Sequence, residues 1–105
     1  MKSTIAALAT LALATAAHAE DYTLTLKDHK FSPAELTIPA NEKVKLVIKN
    51  QDATPAEFES HKLNREKVIK GGSEASVFVG PLDAGRYEFF DEFHEDTAKG
   101  TLIAK

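Results

Sequence analysis

From Tyr22 onward, apolar and polar residues alternate in short runs that turn residues punctuate. Tyr22, Leu24 and Leu26 alternate with Thr23, Thr25 and Lys27. Val44, Leu46 and Ile48 alternate with Lys45, Val47 and Lys49, and Tyr87, Phe89, Asp91 and Phe93 with Glu88, Phe90 and Glu92. A period of two places each set on one face of a strand. Weaker runs at Leu36 to Ile38, around Phe58, at Lys67 to Ile69, at Ala75 to Val79 and at Thr101 to Ala104 add further strands. The breaks at Ser32-Pro33, Pro39-Ala40-Asn41, Gly71-Gly72 and Gly80-Pro81 are turn chemistry. Many short strands at this spacing predict an all-β sandwich. No long amphipathic helix interrupts the pattern; His61 to Glu66 has room for one helical turn.

The first nineteen residues follow a different rule. Lys2 precedes an apolar stretch from Ile5 to Ala17, and Ala17-His18-Ala19 gives the small-x-small pattern of a signal-peptidase site. This is the layout of a secretory signal peptide, too short in its apolar part to span a bilayer. The expected organisation is a signal peptide at 1–19 and one domain at 20–105, with a soluble, periplasmic product and no direct membrane anchor. Acidic residues outnumber basic ones, 16 to 13, without a basic patch, which argues against nucleic acid and anionic lipid as partners. The chain contains no cysteine, so it has no dithiol, thiolate ligand or cysteine nucleophile. Its single methionine is Met1. No nucleophile elbow, Ser-His pairing or zinc-type His pair is present, which disfavours a hydrolase.

Two segments carry more than strand pattern. In Leu82-Asp83-Ala84-Gly85-Arg86-Tyr87, a Gly before a Tyr that opens an aromatic strand fits a tyrosine corner, in which the phenol bonds back to upstream backbone. In Tyr87 to His94, Asp91 continues the apolar face of Tyr87 and Phe89, where an unpaired carboxylate is costly. Glu57 and Glu59 flank Phe58 and leave the same face of their strand. Glu92, Glu95 and Asp96 read as solvated charge, His29 and His61 as exposed, and Phe31, Phe58, Phe78, Phe89 and Phe93 as core.

These segments resemble the cupredoxins. The matching residues are Phe31-Ser32-Pro33-Ala34-Glu35-Leu36-Thr37-Ile38-Pro39-Ala40, then Val44 to Asn50, then Gly85 to Gly100. The resemblance implies a cupredoxin-like Greek-key sandwich with a metal site near its last loop. It places Asp91 where the family carries its copper-binding Cys, His94 at the following His, and Thr97-Ala98-Lys99 in the Met region. The family's other His falls near Ala56 or Glu57. Without a thiolate, no blue-copper centre is expected. Carboxylates with one imidazole suit iron, manganese or Cu(II) instead. The expected ligands are Asp91 and His94 first, then Glu57 and Glu59, gathered in one acidic pocket. Relief of repulsion in that pocket implies that Asp91→Ala stabilises the metal-free protein.

A subgroup sharpens the expectation. Glu57-Phe58-Glu59-Ser60, Arg65-Glu66-Lys67-Val68-Ile69 and Phe89 to His94 through Lys99-Gly100 resemble cupredoxin-like domains of bacterial periplasmic iron uptake. That resemblance implies a periplasmic iron- or copper-binding protein working with an inner-membrane iron permease and a second periplasmic iron/copper-binding protein. Any enzymatic role would be at most ferrous-ion oxidation. The alternatives are a copper-loaded electron carrier or ferroxidase, and a metal-free assembly module.

Overall fold

The computed structural model describes residues 20–105; the expected signal peptide lies outside them. The elements run in the order β1 Glu20–Lys27, β2 Lys30–Ser32, β3 Glu35–Ile38, β4 Val44–Asn50, β5 Ala56–Ser60, β6 Arg65–Ile69, β7 Glu74–Val79, β8 Gly85–Asp91, a 3-10 turn at Glu92–His94, and β9 Lys99–Ala104. One sheet has the order β2-β1-β4-β7 and the other β3-β9-β8-β5-β6. β1 and β2 form a hairpin, the chain crosses to the second sheet as β3, and it returns as β4 parallel to β1. β3 lies parallel to β9, so each sheet carries one parallel pair among antiparallel ones. This is the predicted Greek-key β-sandwich.

Alternation fills the space between the sheets. Leu24 and Leu26 of β1 and Val44, Leu46 and Ile48 of β4 meet Phe58, Phe89, Leu102 and Ala104 of the opposite sheet in one buried cluster. Phe58 and Phe89 stack at 5.3 Å between ring centroids, and Phe31 meets Phe89 edge-on at 5.0 Å. Such aromatic contacts add to the transfer energy of the buried area. β9 can pass this aromatic pair only because residue 100 is glycine. A Cβ there would lie 2.6 Å from the Phe89 ring and 2.6 Å from the Ala34 carbonyl oxygen. The tyrosine corner is present: the Tyr87 hydroxyl donates to the Asp83 carbonyl at 2.8 Å.

The structure departs from the sequence reading at three places. Strand β2 is only three residues long, too short for alternation to reveal it. It follows a two-residue turn in which Asp28 and His29 both have positive φ, 52° and 58°, the geometry of a tight hairpin whose twist matches its strands. Phe78 is 47% exposed, on the outer face opposite Lys45, and the Lys43 ammonium lies 4.7 Å from its ring centroid. Phe93 is 50% exposed, because β8 ends at Asp91 and the chain turns before the alternation reaches residue 93.

Candidate metal centre

Asp91 ends β8 fully buried and opposes Phe58 of β5, so its side chain lies on the core face. Three donors satisfy it there. One carboxylate oxygen, Oδ1, accepts from the Glu57 amide at 2.9 Å and from the Phe93 amide at 3.0 Å. The other, Oδ2, is 2.9 Å from His94 Nδ1. With Nδ1 given to the carboxylate, His94 keeps Nε2 as its free nitrogen. The loop is closed a second time by backbone bonds: Ala98 N donates to the His94 carbonyl, and Asp91 N to the Ala98 carbonyl, both at 2.9 Å. The carboxylate at the expected cysteine position thus ties the strand end, β5 and the loop together.

Glu57 and Glu59 point the other way. They alternate with buried Ala56, Phe58 and Ser60, and Glu59 opposes Phe90 on the outer face of the five-stranded sheet. The expected single pocket is therefore two sites. Asp91 and His94 sit at the core end of the loop, and Glu57 and Glu59 lie outside, sharing with Asp91 only the Glu57 backbone amide. The outer pair gains a third carboxylate, because the β5–β6 hairpin places Glu66 directly opposite Glu59. Glu57, Glu59 and Glu66 each offer an oxygen, and these oxygens lie within 4.8 Å of one another. Glu92 hydrogen-bonds Glu59 from the 3-10 turn, and His61 Nδ1 lies 3.9 Å from Glu59.

Crowding shifts the protonation of this group. The Glu59 carboxyl is pushed up to about 7, first by the hydrogen bond it shares with Glu92 and then by desolvation and the charges of Glu92, Glu66 and Glu57. Desolvation, then the hydrogen bond and charge of Glu66, also raise Glu57. A carboxyl that holds its proton more tightly folded than unfolded weakens the fold as pH rises. The metal-free protein should therefore lose stability between about pH 4.5, the ordinary glutamate value, and about pH 7, then level off. Urea melts at pH 5 and pH 8 would show this fall, and Glu59→Gln should flatten it. An unchanged profile in Glu59→Gln would place the effect in other groups.

A third feature was not anticipated. The His29 ring stacks on His94 with centroids 3.6 Å apart and planes inclined by 12°. Glu66 and the contact of His29 with His94 are what the sequence reading leaves out of these groups. Glu66 had a local signal: Asn64, at φ 55°, closes a turn that sets β6 against β5. His29 had none, since only the packing of the first hairpin on the last loop brings it to His94.

Comparison with known proteins agrees with this architecture. A protein of Rickettsia prowazekii (strain Madrid E) described as uncharacterized is 45% identical over 80 residues, which are 76% of this chain and 64% of that protein. The chain thus spans just under two thirds of its relative's length. Auracyanin A, a blue copper protein from Chloroflexus aurantiacus, superposes with a TM-score of 0.71 at 15% identity, covering 84% of this chain and all of that one. The metal-binding domain of the Cu(I)-exporting P-type ATPase of Streptococcus pneumoniae D39 superposes with a TM-score of 0.65 at 15% identity, covering 81% and 84%. At such identities the two structures show a shared fold alone. A blue-copper centre does not fit the residues present, because the chain has no cysteine and Asp91 already holds three donors. The cupredoxin-like domain family matches residues 3–104, and with the sandwich and its closing loop in view, the chain belongs to that family.

Proposed function

We propose that the protein is a periplasmic metal-binding component of bacterial iron acquisition, taking ferrous or ferric ion at Glu57, Glu59 and Glu66 for transfer to an inner-membrane permease. The observation that carries this reading is the convergence of three carboxylate oxygens within 4.8 Å on one sheet face. Glu92 adds negative charge beside them. Carboxylate oxygens are hard donors suited to iron and manganese, and a cation there replaces the protons that crowding imposes. The iron-uptake setting, the permease and a second periplasmic iron/copper-binding protein rest on the resemblance carried by Glu57 to Ser60 and Arg65 to Ile69. A blue-type copper electron carrier is disfavoured by the missing thiolate.

Anaerobic titration calorimetry with Fe(II), and with Mn(II) as a redox-inert probe, tests this reading. One ion per chain is expected, with a buffer-dependent heat that reports proton release. At about a hundredfold excess over Kd, binding should raise the melting temperature by on the order of 10 °C. No heat and no thermal shift with either ion would remove the carboxylates from the function.

A further inference from the structure

Resting on the reading of Glu57, Glu59 and Glu66 as a cation site, we infer that Arg65 is its positioning residue. The guanidinium latches edge strand β6 to the opposite sheet and so sets where the Glu66 carboxylate stands.

The three carboxylates are not held equally. Glu57 and Glu59 lie on β5, which has β8 on one side and β6 on the other. Their neighbours Ala56, Phe58 and Ser60 are buried, and the Asp91 carboxylate takes the Glu57 amide at 2.9 Å. Glu66 lies on β6, the last strand of its sheet, which pairs only with β5. Of the five residues of β6, Ile69 alone is buried. A strand with one paired edge and one buried side chain belongs to the low-stability end of a fold. The third carboxylate of the site therefore depends on what keeps β6 in place.

Polar contacts do this at both ends of the strand. At its C-terminal end, buried Asn50 donates Nδ2 to the Ile69 carbonyl at 3.2 Å and to the Lys70 carbonyl at 3.4 Å. At its N-terminal end, Arg65 Nε donates to the carbonyl of Phe78 on β7 at 2.9 Å. Arg65 Nη1 donates to the Asn64 carbonyl at 3.0 Å and to the Leu63 carbonyl at 3.4 Å. Because β7 belongs to the four-stranded sheet, Arg65 bridges the two sheets at the edge of the sandwich.

Period two connects this bridge to the carboxylates. With Ile69 inward, Arg65 leaves β6 on the inner side and its neighbour Glu66 on the outer side, opposite Glu59. A movement of β6 that breaks the Arg65 bond also carries the Glu66 carboxylate away from Glu59. Like charges directly opposite across a strand pair drive just that movement until a cation joins them. The planar guanidinium suits the opposing task, since its fixed fork reaches several carbonyls at once, whereas a lysine ammonium is a point charge on a flexible stem.

Charge and position predict opposite signs for Arg65. All three of its hydrogen bonds go to carbonyl oxygens and none to a carboxylate. A positive charge near a cation site repels the cation, so neutralising an arginine that acts by charge alone would tighten binding. Neutralising one that acts by position loosens it.

The test is Mn(II) titration calorimetry on wild type, Arg65→Gln, Arg65→Lys, Glu66→Gln and the Arg65→Gln/Glu66→Gln double variant, with urea melts to fix conditions in which all are folded. Both Arg65 variants should bind Mn(II) about tenfold more weakly. The double variant should bind no more weakly than Glu66→Gln, because the carboxylate being positioned is already gone. Amide hydrogen exchange should quicken in β6 of both Arg65 variants and stay unchanged in β8, a local response that general destabilisation does not produce. Unchanged or tighter Mn(II) binding in Arg65→Gln would overturn the role of Arg65. So would an Arg65→Gln effect that persists in full on the Glu66→Gln background. Both results leave the carboxylate reading intact, whereas full Mn(II) affinity in Glu66→Gln would remove Glu66 from the site and the role of Arg65 with it.

Discussion

Asp91→Ala is expected to destabilise the metal-free protein by about 3 kcal/mol or more, a large share of what a domain of this size possesses. The carboxylate is fully buried, and its removal strands three donors: the amides of Glu57 and Phe93 and the His94 ring. Each buried donor left without a partner costs about 1–3 kcal/mol. Reading Asp91 as one of a repelling group of acids suggests the opposite sign. Repulsion is real, since the Asp91 charge is among the smaller causes that raise Glu57. It is outweighed, because the two side chains lie on opposite faces of the sheet and Asp91 is surrounded by donors. Asp91→Asn should cost less, as its carbonyl oxygen can still accept both amides. Urea denaturation of the three proteins checks the order wild type, Asn, Ala; an Ala variant within about 1 kcal/mol of wild type would show that the loop is held by other means.

The contrast between fold and site shows what one-dimensional pattern can carry. Strands β1, β4 and β8 declare themselves because alternation is a local signal and each has seven or eight residues in which to repeat it. Lys30–Ser32 has three, and pairs with β1 only because Asp28 and His29 accept positive φ. Phe78 and Phe93 mislead for different reasons: one lies on the outer face of β7, the other just beyond the end of β8. In the candidate site, the pairing of Glu57 with Glu59 follows from period two. The third carboxylate, Glu66, needs the hairpin register, and the His29–His94 stack needs the tertiary fold. The hardest feature to read was direction. Asp91 and Glu57 are neighbours across β8 and β5, yet the pleat sends one inward and the other outward.

That direction also decides the largest effect expected on metal binding. The triple variant Glu57→Gln, Glu59→Gln, Glu66→Gln keeps the size and hydrogen-bonding capacity of each side chain and removes its charge. Losing an orienting partner alone weakens metal sites by about 10–100-fold, so losing three anionic donors should weaken Fe(II) and Mn(II) binding at least about a hundredfold. The metal-dependent rise in melting temperature should vanish with it. Stability without metal should move the other way. The variant should be more stable than wild type at pH 8 and nearly equal to it at pH 5, because the raised Glu59 and Glu57 carboxyls penalise only the ionised fold. These opposite signs separate a binding site from a structural cluster. Carboxylates that merely supported the sheet would cost stability at both pH values when neutralised, and Asp91→Asn provides the matching control on the inner face. Retention of Fe(II) and Mn(II) affinity in the triple variant would move iron away from the outer face of the sheet.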